Sequence, residues 1–290
     1  MSWRTIVITK RAKLDLQLNH LVIRNDSVTK VNLSEIAVLL IESTAVSITT
    51  SLLAELTKKK IKVIFCDDKR MPSSELVGYY GSHDTSLKYK KQTGWTAEMK
   101  KLVWSEIVSE KIRKQAEFLD EMKKQESILL KQYMNEVLPG DESNREGHTA
   151  KVYFNALFGL DFTRTEDNFI NAALNYGYSI ILSAFTREIV ANGYLTQLGI
   201  FHDNMFNQFN LASDFMEPFR VLVDREVFLM KLVKFEHEEK MKLVNILNYE
   251  VQIDGRVQYV NNAIKIYCKS IFDALNENDN SLIHFYKVEL

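Results

Sequence analysis

Short apolar segments with the period of β-strands fill the first third of the chain. Asn25-Asp26-Ser27 is typical of a hairpin turn, and Ser51–Lys60 has the leucine spacing of a single helix. The predicted strands share β-branched residues, alternating apolar positions or a continuous apolar run: Trp3–Thr9, the alternating Leu14, Leu16 and Leu18, Leu21–Ile23, Val28–Leu33, Ile36–Ile41 and Ile61–Cys66. Residues 1–67 are therefore predicted to form a small β-rich domain.

Helical periodicity replaces this pattern after a segment of irregular composition. Residues 68–93 include Pro72, Gly78 and Gly81 and are predicted to form a linker. Residues 94–290 are predicted to form a helical domain. Its clearest apolar face has spacings of four and three residues and consists of Trp104, Val108, Ile112, Ala116 and Leu119.

Glycine residues mark several predicted ends within this helical domain. Gly159 is expected to end a helix that begins at Ser143, and Gly193 to close a helix from Phe169 to Asn192. Asp254-Gly255 lies between two short apolar segments and predicts a β-hairpin, which a last helix over Asn261–Leu275 follows. The predicted fold class is α+β: a small β-rich domain, then a larger α-helical domain containing a β-hairpin.

Charge is distributed unevenly, although the net charge is only −1. Residues 58–131 contain 17 Lys and Arg against 11 Asp and Glu, a local excess of +6. Clusters such as Lys58-Lys59-Lys60 and Lys111-Ile112-Arg113-Lys114 suit contacts to a phosphate backbone, but equally suit solvated helix faces. The charge pattern permits DNA binding without establishing it.

No segment indicates a membrane or secreted protein. No apolar run approaches the roughly 18 residues of a membrane span, and Met1-Ser2-Trp3-Arg4 lacks the features of a signal peptide. Cys66 and Cys268 lie in apolar surroundings without metal-ligand spacing, which predicts buried, reduced thiols. We expect a cytoplasmic protein.

Glu146 is the first candidate for chemistry, and its sequence context has two interpretations. Ser143-x-x-Glu146 matches a capping box, in which the Glu146 side chain would bond only to its own helix terminus. In the other interpretation Glu146 faces a site, because it shares a helix face with Tyr153 and with Ala150, which is small enough to let a ligand approach.

His202 and an acidic segment that follows it supply the remaining candidates. His202 lies in a turn-like segment, where a histidine is either structural or a ligand. Asp214 and Glu217 are three residues apart and predicted to lie on one side of a helix, where their charges repel. Either Arg220 neutralises them as an ion pair, or a divalent cation does.

Carboxylates with one imidazole suit Mg²⁺ or Mn²⁺, ions that catalyse phosphodiester chemistry. The sequence contains no G-x-S-x-G, no phosphate-binding loop, no dinucleotide fingerprint and no paired C-x-x-C. Neither cysteine has a basic neighbour placed to activate it as a nucleophile. Metal-dependent phosphodiester chemistry is therefore the favoured class.

In order and spacing these segments resemble the integrase family of CRISPR adaptation, over nearly the whole chain. Ile64–Pro72 and the residues after it resemble the branch found in type II systems. The most specific stretches are Ser143–Gly159 (SNREGHTAKVYFNALFG), Asn175–Gly193, Leu198–Asn210 (LGIFHDNMFNQFN) and Leu211–Asp224 (LASDFMEPFRVLVD).

This resemblance implies a β-sandwich domain joined to a helical catalytic domain. It implies that Glu146, His202 and Glu217 are the catalytic metal ligands, with Asp214 as a supporting residue and Mg²⁺ or Mn²⁺ as the metal. It also implies a homodimer, two of which flank a dimer of a small ferredoxin-like adaptation protein in a 4:2 complex with double-stranded DNA. Further type II adaptation proteins are expected partners.

The implied reaction inserts prespacer DNA into the CRISPR array, each 3′-hydroxyl attacking a phosphodiester at a repeat end. A stand-alone metal-dependent nuclease acting on branched DNA would use the same residues. A non-catalytic DNA-binding scaffold would leave Glu146 as a cap and His202 as a packing residue. A purely structural helical protein would show no salt-dependent DNA binding.

Overall fold

The chain divides into two units, Met1–His83 and Asp84–Leu290, in a computed structural model that describes residues 4–78 and 82–288. Trp3, at the start of the first predicted strand, and Gly81, in the predicted linker, lie outside the described residues. Within the segment 68–93, where the sequence predicts a linker, the structure has a strand at Pro72–Leu76 and a helix at Thr85–Thr93.

The N-terminal unit contains two four-stranded sheets and one helix. In chain order its elements are β1 (Arg4–Ile8), β2 (Ala12–Gln17), β3 (His20–Arg24), β4 (Val28–Asn32), β5 (Ile36–Ile41), β6 (Val46–Ile48), α1 (Thr50–Lys58), β7 (Lys62–Cys66) and β8 (Pro72–Leu76). The strand orders are β1-β5-β7-β8 and β4-β3-β2-β6. Leu14 and Leu21 from one sheet and Leu39 and Val63 from the other share one apolar core, as a sandwich requires.

The strand predictions are confirmed in this unit except at one end. All six residues of β5 are buried, as its continuous apolar run predicts for an interior strand. Leu18, however, is 87% exposed, and the prediction that it belongs to one strand with Leu14 and Leu16 was wrong, because that strand ends at Gln17. Leu18 and Asn19 have φ of 47° and 63°, so they form the tight turn between β2 and β3 instead of extending the strand.

The C-terminal unit is mainly helical. Its elements are α2 (Thr85–Thr93), α3 (Ala97–Glu121), α4 (Ser127–Asn135), α5 (Arg145–Phe158), α6 (Phe169–Ala191), α7 (Asn210–Phe215), α8 (Arg220–Met230), α9 (His237–Asn245), β9 (Glu250–Ile253), β10 (Arg256–Tyr259) and α10 (Val260–Glu277). The predicted hairpin is confirmed: Asp254 and Gly255 connect β9 and β10 with positive φ at both residues. The α+β fold class is therefore confirmed.

The long helices α3 and α6 bring the candidate residues into one region. Trp104, Val108 and Ile112 of α3 are buried, as their spacing predicts. Gly177 of α6 faces α8, where an added Cβ would lie 2.4 Å from a methyl group of Val223. Glycine at this position therefore lets α8 approach α6 closely.

Two further features of the described residues concern helix hydropathy and the cysteines. In the described part of the chain, no helix is both long and apolar enough to cross a bilayer. Cys66 and Cys268 are both buried thiols, as predicted, and burial raises the pKa of the Cys268 thiol well above its usual value.

Candidate active site

Glu146 lies in the first turn of α5, and its side chain is not part of a helix cap. The carboxylate of Asp141 accepts hydrogen bonds from the backbone N–H groups of Arg145, at 2.8 Å, and Glu146, at 3.0 Å. The capping-box interpretation is therefore wrong, because Asp141 rather than Ser143 satisfies the helix terminus. Ser143 donates instead to the carbonyl of Glu136. This arrangement leaves the Glu146 carboxylate available to other groups.

Lys111 of α3 joins Glu146 to Glu217. Its ammonium group donates to a carboxylate oxygen of each, at 2.5 Å from the Glu217 oxygen. Burial opposes the charge on Lys111, but Glu217 and Glu146 outweigh burial and raise its pKa. The suggestion that Lys111-Ile112-Arg113-Lys114 forms a solvated basic face is wrong for Lys111 and Lys114, both of which are buried.

Glu217 begins a short 3₁₀ segment, Glu217–Phe219, between α7 and α8. Arg220 donates from Nε to its other carboxylate oxygen at 2.9 Å, so the ion pair anticipated between these residues is present. Burial favours the neutral acid, but the charges of Arg220 and Lys111 outweigh burial and lower the pKa of Glu217 to about 2. Glu217 is therefore a buried, fully ionised carboxylate at neutral pH.

Asp214 is fully buried and holds the segment that carries His202. Its carboxylate accepts the backbone N–H groups of Ile200, Phe201 and His202 at 2.7–3.1 Å, and also the Nδ1–H of the His202 ring at 2.5 Å. The hydrogen bond to Asp214 outweighs burial and raises the pKa of His202. Since Nδ1 carries the proton in this bond, the neutral ring presents an unprotonated Nε2.

Gly199 makes this close approach possible. A Cβ at this position would lie 2.2 Å from the carbonyl oxygen of His202 and 2.7 Å from a carboxylate oxygen of Asp214. Contacts this short do not occur, so only glycine lets the turn close over the buried carboxylate. The Phe201 ring stacks on Trp104 at 4.3 Å between centroids and fixes the outer side of the same turn.

A polar cavity of about 200 Å³ contains the two carboxylates but not His202. Its lining is rich in charged and hydrogen-bonding groups: Lys111, Gln115, Glu146, Ala150, Phe154, Arg164, Tyr178, Glu217, Arg220 and Asp224. Across residues 4–78 and 82–288, no three His, Cys, Asp or Glu side chains are arranged to hold a metal ion. The structure thus brings Glu146 and Glu217 together on the ammonium group of Lys111, whereas the His202 ring bonds to Asp214.

The donor chemistry of this pair nevertheless fits a divalent cation. Two carboxylates share a single positive group, the Lys111 ammonium, and hard divalent cations prefer such oxygen ligands. The negative charge of Glu217 also contributes to the raised pKa of His202, so the imidazole lies within electrostatic range of Glu217. A histidine whose Nδ1–H bonds to a carboxylate is the usual form of a metal-ligating imidazole.

Comparison with known proteins shows the family of this chain. The sequence model described as CRISPR associated protein Cas1 matches residues 5–240. The chain belongs to the Cas1 family. One family relative, the CRISPR-associated endonuclease Cas1 of Neisseria meningitidis serogroup C (strain 8013), is 36% identical over 261 residues, which are 88% of this chain and 86% of that protein.

Solved structures share the Cas1 fold at low sequence identity. A chain described as "Casposase bound to integration product" matches with a TM-score of 0.80 and 17% identity, over 97% of this chain and 93% of that one. A chain of a "Cas6-RT-Cas1–Cas2 complex" matches with a TM-score of 0.74 and 15% identity. The match covers 97% of this chain but only 36% of that longer one. These likenesses show the fold.

Several residues that build the site in this Cas1 family member were not identified from the sequence. Lys111 follows Val108 by three residues on α3, and a lysine so close to an apolar face was a usable signal. Asp224 accepts a hydrogen bond from Tyr178, and burial raises its pKa to about 6. Asp224 follows Arg220 by four residues, but no local signal connects it to Tyr178 on another helix.

Proposed function

We propose that this chain is a metal-dependent DNA integrase and endonuclease of CRISPR adaptation that acts in the cytoplasm. The observation that carries the proposal is the pairing of Glu146 and Glu217 on one buried cation in a polar cavity. Membership of the Cas1 family supports the proposal. So do a relative named as an endonuclease and a casposase of the same fold that is described as bound to an integration product.

Glu146, Glu217 and His202 are the proposed ligands of one divalent cation, Mg²⁺ or Mn²⁺. Bound there, the ion would polarise the reacting phosphate and stabilise the attacking and leaving oxygens. Arg220 fixes one oxygen of Glu217 and so orients the carboxylate. Asp214 acts as a positioning residue, because its hydrogen bond to Nδ1 leaves Nε2 of His202 as the ligand atom.

The proposed reaction is a transesterification. The 3′-hydroxyl oxygen of a prespacer strand bonds to the phosphorus at a repeat end, and the bond from that phosphorus to the repeat-flanking 3′ oxygen breaks. The attacking hydroxyl loses its proton and the released 3′ oxygen gains one, so no redox partner is needed. Attack by water in place of the hydroxyl gives nuclease activity through the same groups.

The proposed partners follow from this reaction and from similar proteins. They are double-stranded DNA, a second copy of the chain, and the small ferredoxin-like adaptation protein in a 4:2 complex. The name "Cas6-RT-Cas1–Cas2 complex" of a structure with the same fold supports the small partner. Assignment to the type II branch, with its additional adaptation proteins, is likewise a proposal that rests on Ile64–Pro72 and its flanking residues.

A strand-transfer assay tests the proposal. The full chain and its small partner are incubated with a short overhang-bearing duplex and a supercoiled repeat plasmid, in Mn²⁺, Mg²⁺ or EDTA. We expect metal-dependent nicking with covalent joining of the duplex, lost in Glu146→Gln and His202→Ala but retained in Glu142→Gln. Glu142 is an exposed control whose side chain pairs with Lys101 on the surface.

Each alternative function predicts a different result in this assay. Cleavage of branched DNA without joining, and without need of the small partner, would favour a stand-alone nuclease. DNA binding without metal-dependent activity in any condition would favour a scaffold. Full activity of His202→Ala would remove His202 from the ligand set.

A further inference from the structure

Arg164 lies in the connection between α5 and α6 and lines the same cavity as Glu146 and Glu217. Its guanidinium group donates to the side-chain oxygen of Asn171 and, at 2.7 Å, to that of Asn175. The guanidinium carbon lies 5.7 Å from the ring centre of Phe154 and 5.4 Å from that of Tyr178. Arg164 is therefore held in place by two amide oxygens and two aromatic rings.

The charge of Arg164 differs from that of the other cations in the cavity. Lys111 and Arg220 each pair with a carboxylate at 2.9 Å or less. Within the described part of the chain, no carboxylate lies in ion-pair distance of Arg164, and its hydrogen-bond partners are neutral amides. A guanidinium has five N–H donors, of which these bonds use two. Three donors therefore remain for a ligand.

Arg164 also lies close to the proposed reaction centre. Both Arg164 and Arg220 are placed against the ring of Tyr178, with guanidinium carbons 5.4 and 4.6 Å from its centre, so they are at most about 10 Å apart. Arg220 in turn bonds to Glu217. A DNA strand whose reacting phosphate lies at Glu217 can thus present a neighbouring phosphate to Arg164.

We propose that Arg164 binds a phosphate of the DNA strand one or two nucleotides from the phosphate that reacts. The inference rests on the proposed function of the site and names one of its substrate contacts. A planar guanidinium recognises phosphate through two parallel hydrogen bonds, and amide anchors fix its orientation without neutralising it. Arg164 is accordingly a positioning residue that determines which phosphate of the DNA backbone lies at Glu146 and Glu217.

A purely structural role for Arg164 makes a different prediction. Its bonds to Asn171 and Asn175 also fasten the segment between α5 and α6 to the first turns of α6. If that were its whole role, substitution would lower the melting temperature without affecting any one phosphate of the DNA. The test therefore has to measure how much a single phosphate of the DNA contributes to binding.

The experiment pairs substitutions in the protein with uncharged phosphates in the DNA. The dissociation constant of the full chain is measured for branched DNA with one methylphosphonate at each of the two phosphates on either side of the reacting one. We expect one position to weaken binding about tenfold in the wild type and less than twofold in Arg164→Ala. Arg164→Lys keeps the positive charge but not the planar guanidinium group, so the same methylphosphonate should weaken its binding by an intermediate factor. This variant also keeps the test valid if the alanine variant does not fold.

Arg256→Ala is the matched control, since Arg256 is exposed on the β9–β10 hairpin and does not line the cavity. It should keep the wild-type penalty at every position. The inference is overturned if no position weakens wild-type binding, or if the Arg164 variants keep the full penalty everywhere. Strand transfer by the same wild-type preparation tests the proposed function separately. If the enzyme is active but each methylphosphonate weakens binding equally in the wild type and in the Arg164 variants, only the role of Arg164 is refuted.

Discussion

The ammonium nitrogen of Lys111 lies 2.5 Å from a carboxylate oxygen of Glu217, and the exposed fractions of the two side chains are only 7% and 5%. The same ammonium contacts Glu146. A buried positive group thus occupies the position between two carboxylates that we assign to a divalent cation. Removing one member of a buried ion pair costs about 3–5 kcal/mol, because the remaining charge loses its compensation.

Replacing Lys111 by Met should destabilise the metal-free protein by about 3 kcal/mol, since Glu146 and Glu217 would then have no cation between them, although Glu217 keeps its ion pair with Arg220. A divalent ion should restore this stability. We therefore expect Mn²⁺ to raise the melting temperature of Lys111→Met more than that of the wild type, in thermal unfolding with EDTA or MnCl₂.

Lys114→Met is the control for this comparison. Lys114 is also buried on α3, but it pairs with Glu110 and Glu117 and lies over Tyr286, away from the carboxylate pair. The Lys114→Met variant should be less stable than the wild type in EDTA, but Mn²⁺ should not raise its melting temperature more than that of the wild type. An equal response of both variants would contradict a cation site between Glu146 and Glu217.

The ionisation of Glu217 should make the metal-free protein sensitive to acid. Its pKa is lowered from 4.5 to about 2, so the stabilisation is complete above pH 4.5 and is lost as the pH falls towards 2. Between pH 7 and pH 3 the loss due to this group is about 2 kcal/mol. Denaturant unfolding in EDTA should show this loss in the wild type and a smaller pH dependence in Glu217→Gln. Parallel pH profiles would mean that Glu217 is not paired in solution.

Asp214→Asn should impair the site although Asp214 lies outside the cavity. An amide cannot accept four N–H groups, so the turn that carries His202 should loosen and the imidazole should lose its fixed orientation. We expect a loss of about 10- to 100-fold in metal affinity or activity. Isothermal titration with Mn²⁺ and strand transfer would measure both. Asp203→Asn, which changes an exposed neighbour of His202, should behave as the wild type.

Local chemistry explains which parts of the fold were predictable. Gly159 ends α5 with φ of 104°, and Asp254-Gly255 turns the hairpin with φ of 53° and 69°, conformations that these residue types favour. The apolar run of β5 likewise predicted an interior strand from its own residues alone.

The site was less predictable, because its contacts join residues that are distant in sequence. Ser143 and Asp141 are both suitable caps for α5, and only the backbone geometry after Pro139 decides that Asp141 is used. Lys111 and Glu217 are 106 residues apart, so no local pattern indicates that they meet. The resemblance suggested Glu146, His202, Glu217 and Asp214, but not the lysine between two of them.

Gly199→Ala should test the His202 turn without changing any charge. The added methyl group would lie 2.2 Å from the carbonyl oxygen of His202 and 2.7 Å from a carboxylate oxygen of Asp214, so the turn must move and the hydrogen bonds to Asp214 must lengthen. We expect a stability loss of about 1–3 kcal/mol and a fall in strand transfer of at least tenfold.

The control for this variant is Gly94→Ala, where the nearest atoms to an added methyl group are backbone oxygens at 3.3 and 3.4 Å. It should change the free energy of unfolding and the activity only slightly. The position of His202 can be followed by NMR of its ring, whose Nδ1–H signal should be protected from exchange in the wild type and lost in Gly199→Ala. A variant with normal activity but a lost Nδ1–H signal would show that the hydrogen bond from His202 to Asp214 does not position His202 for catalysis.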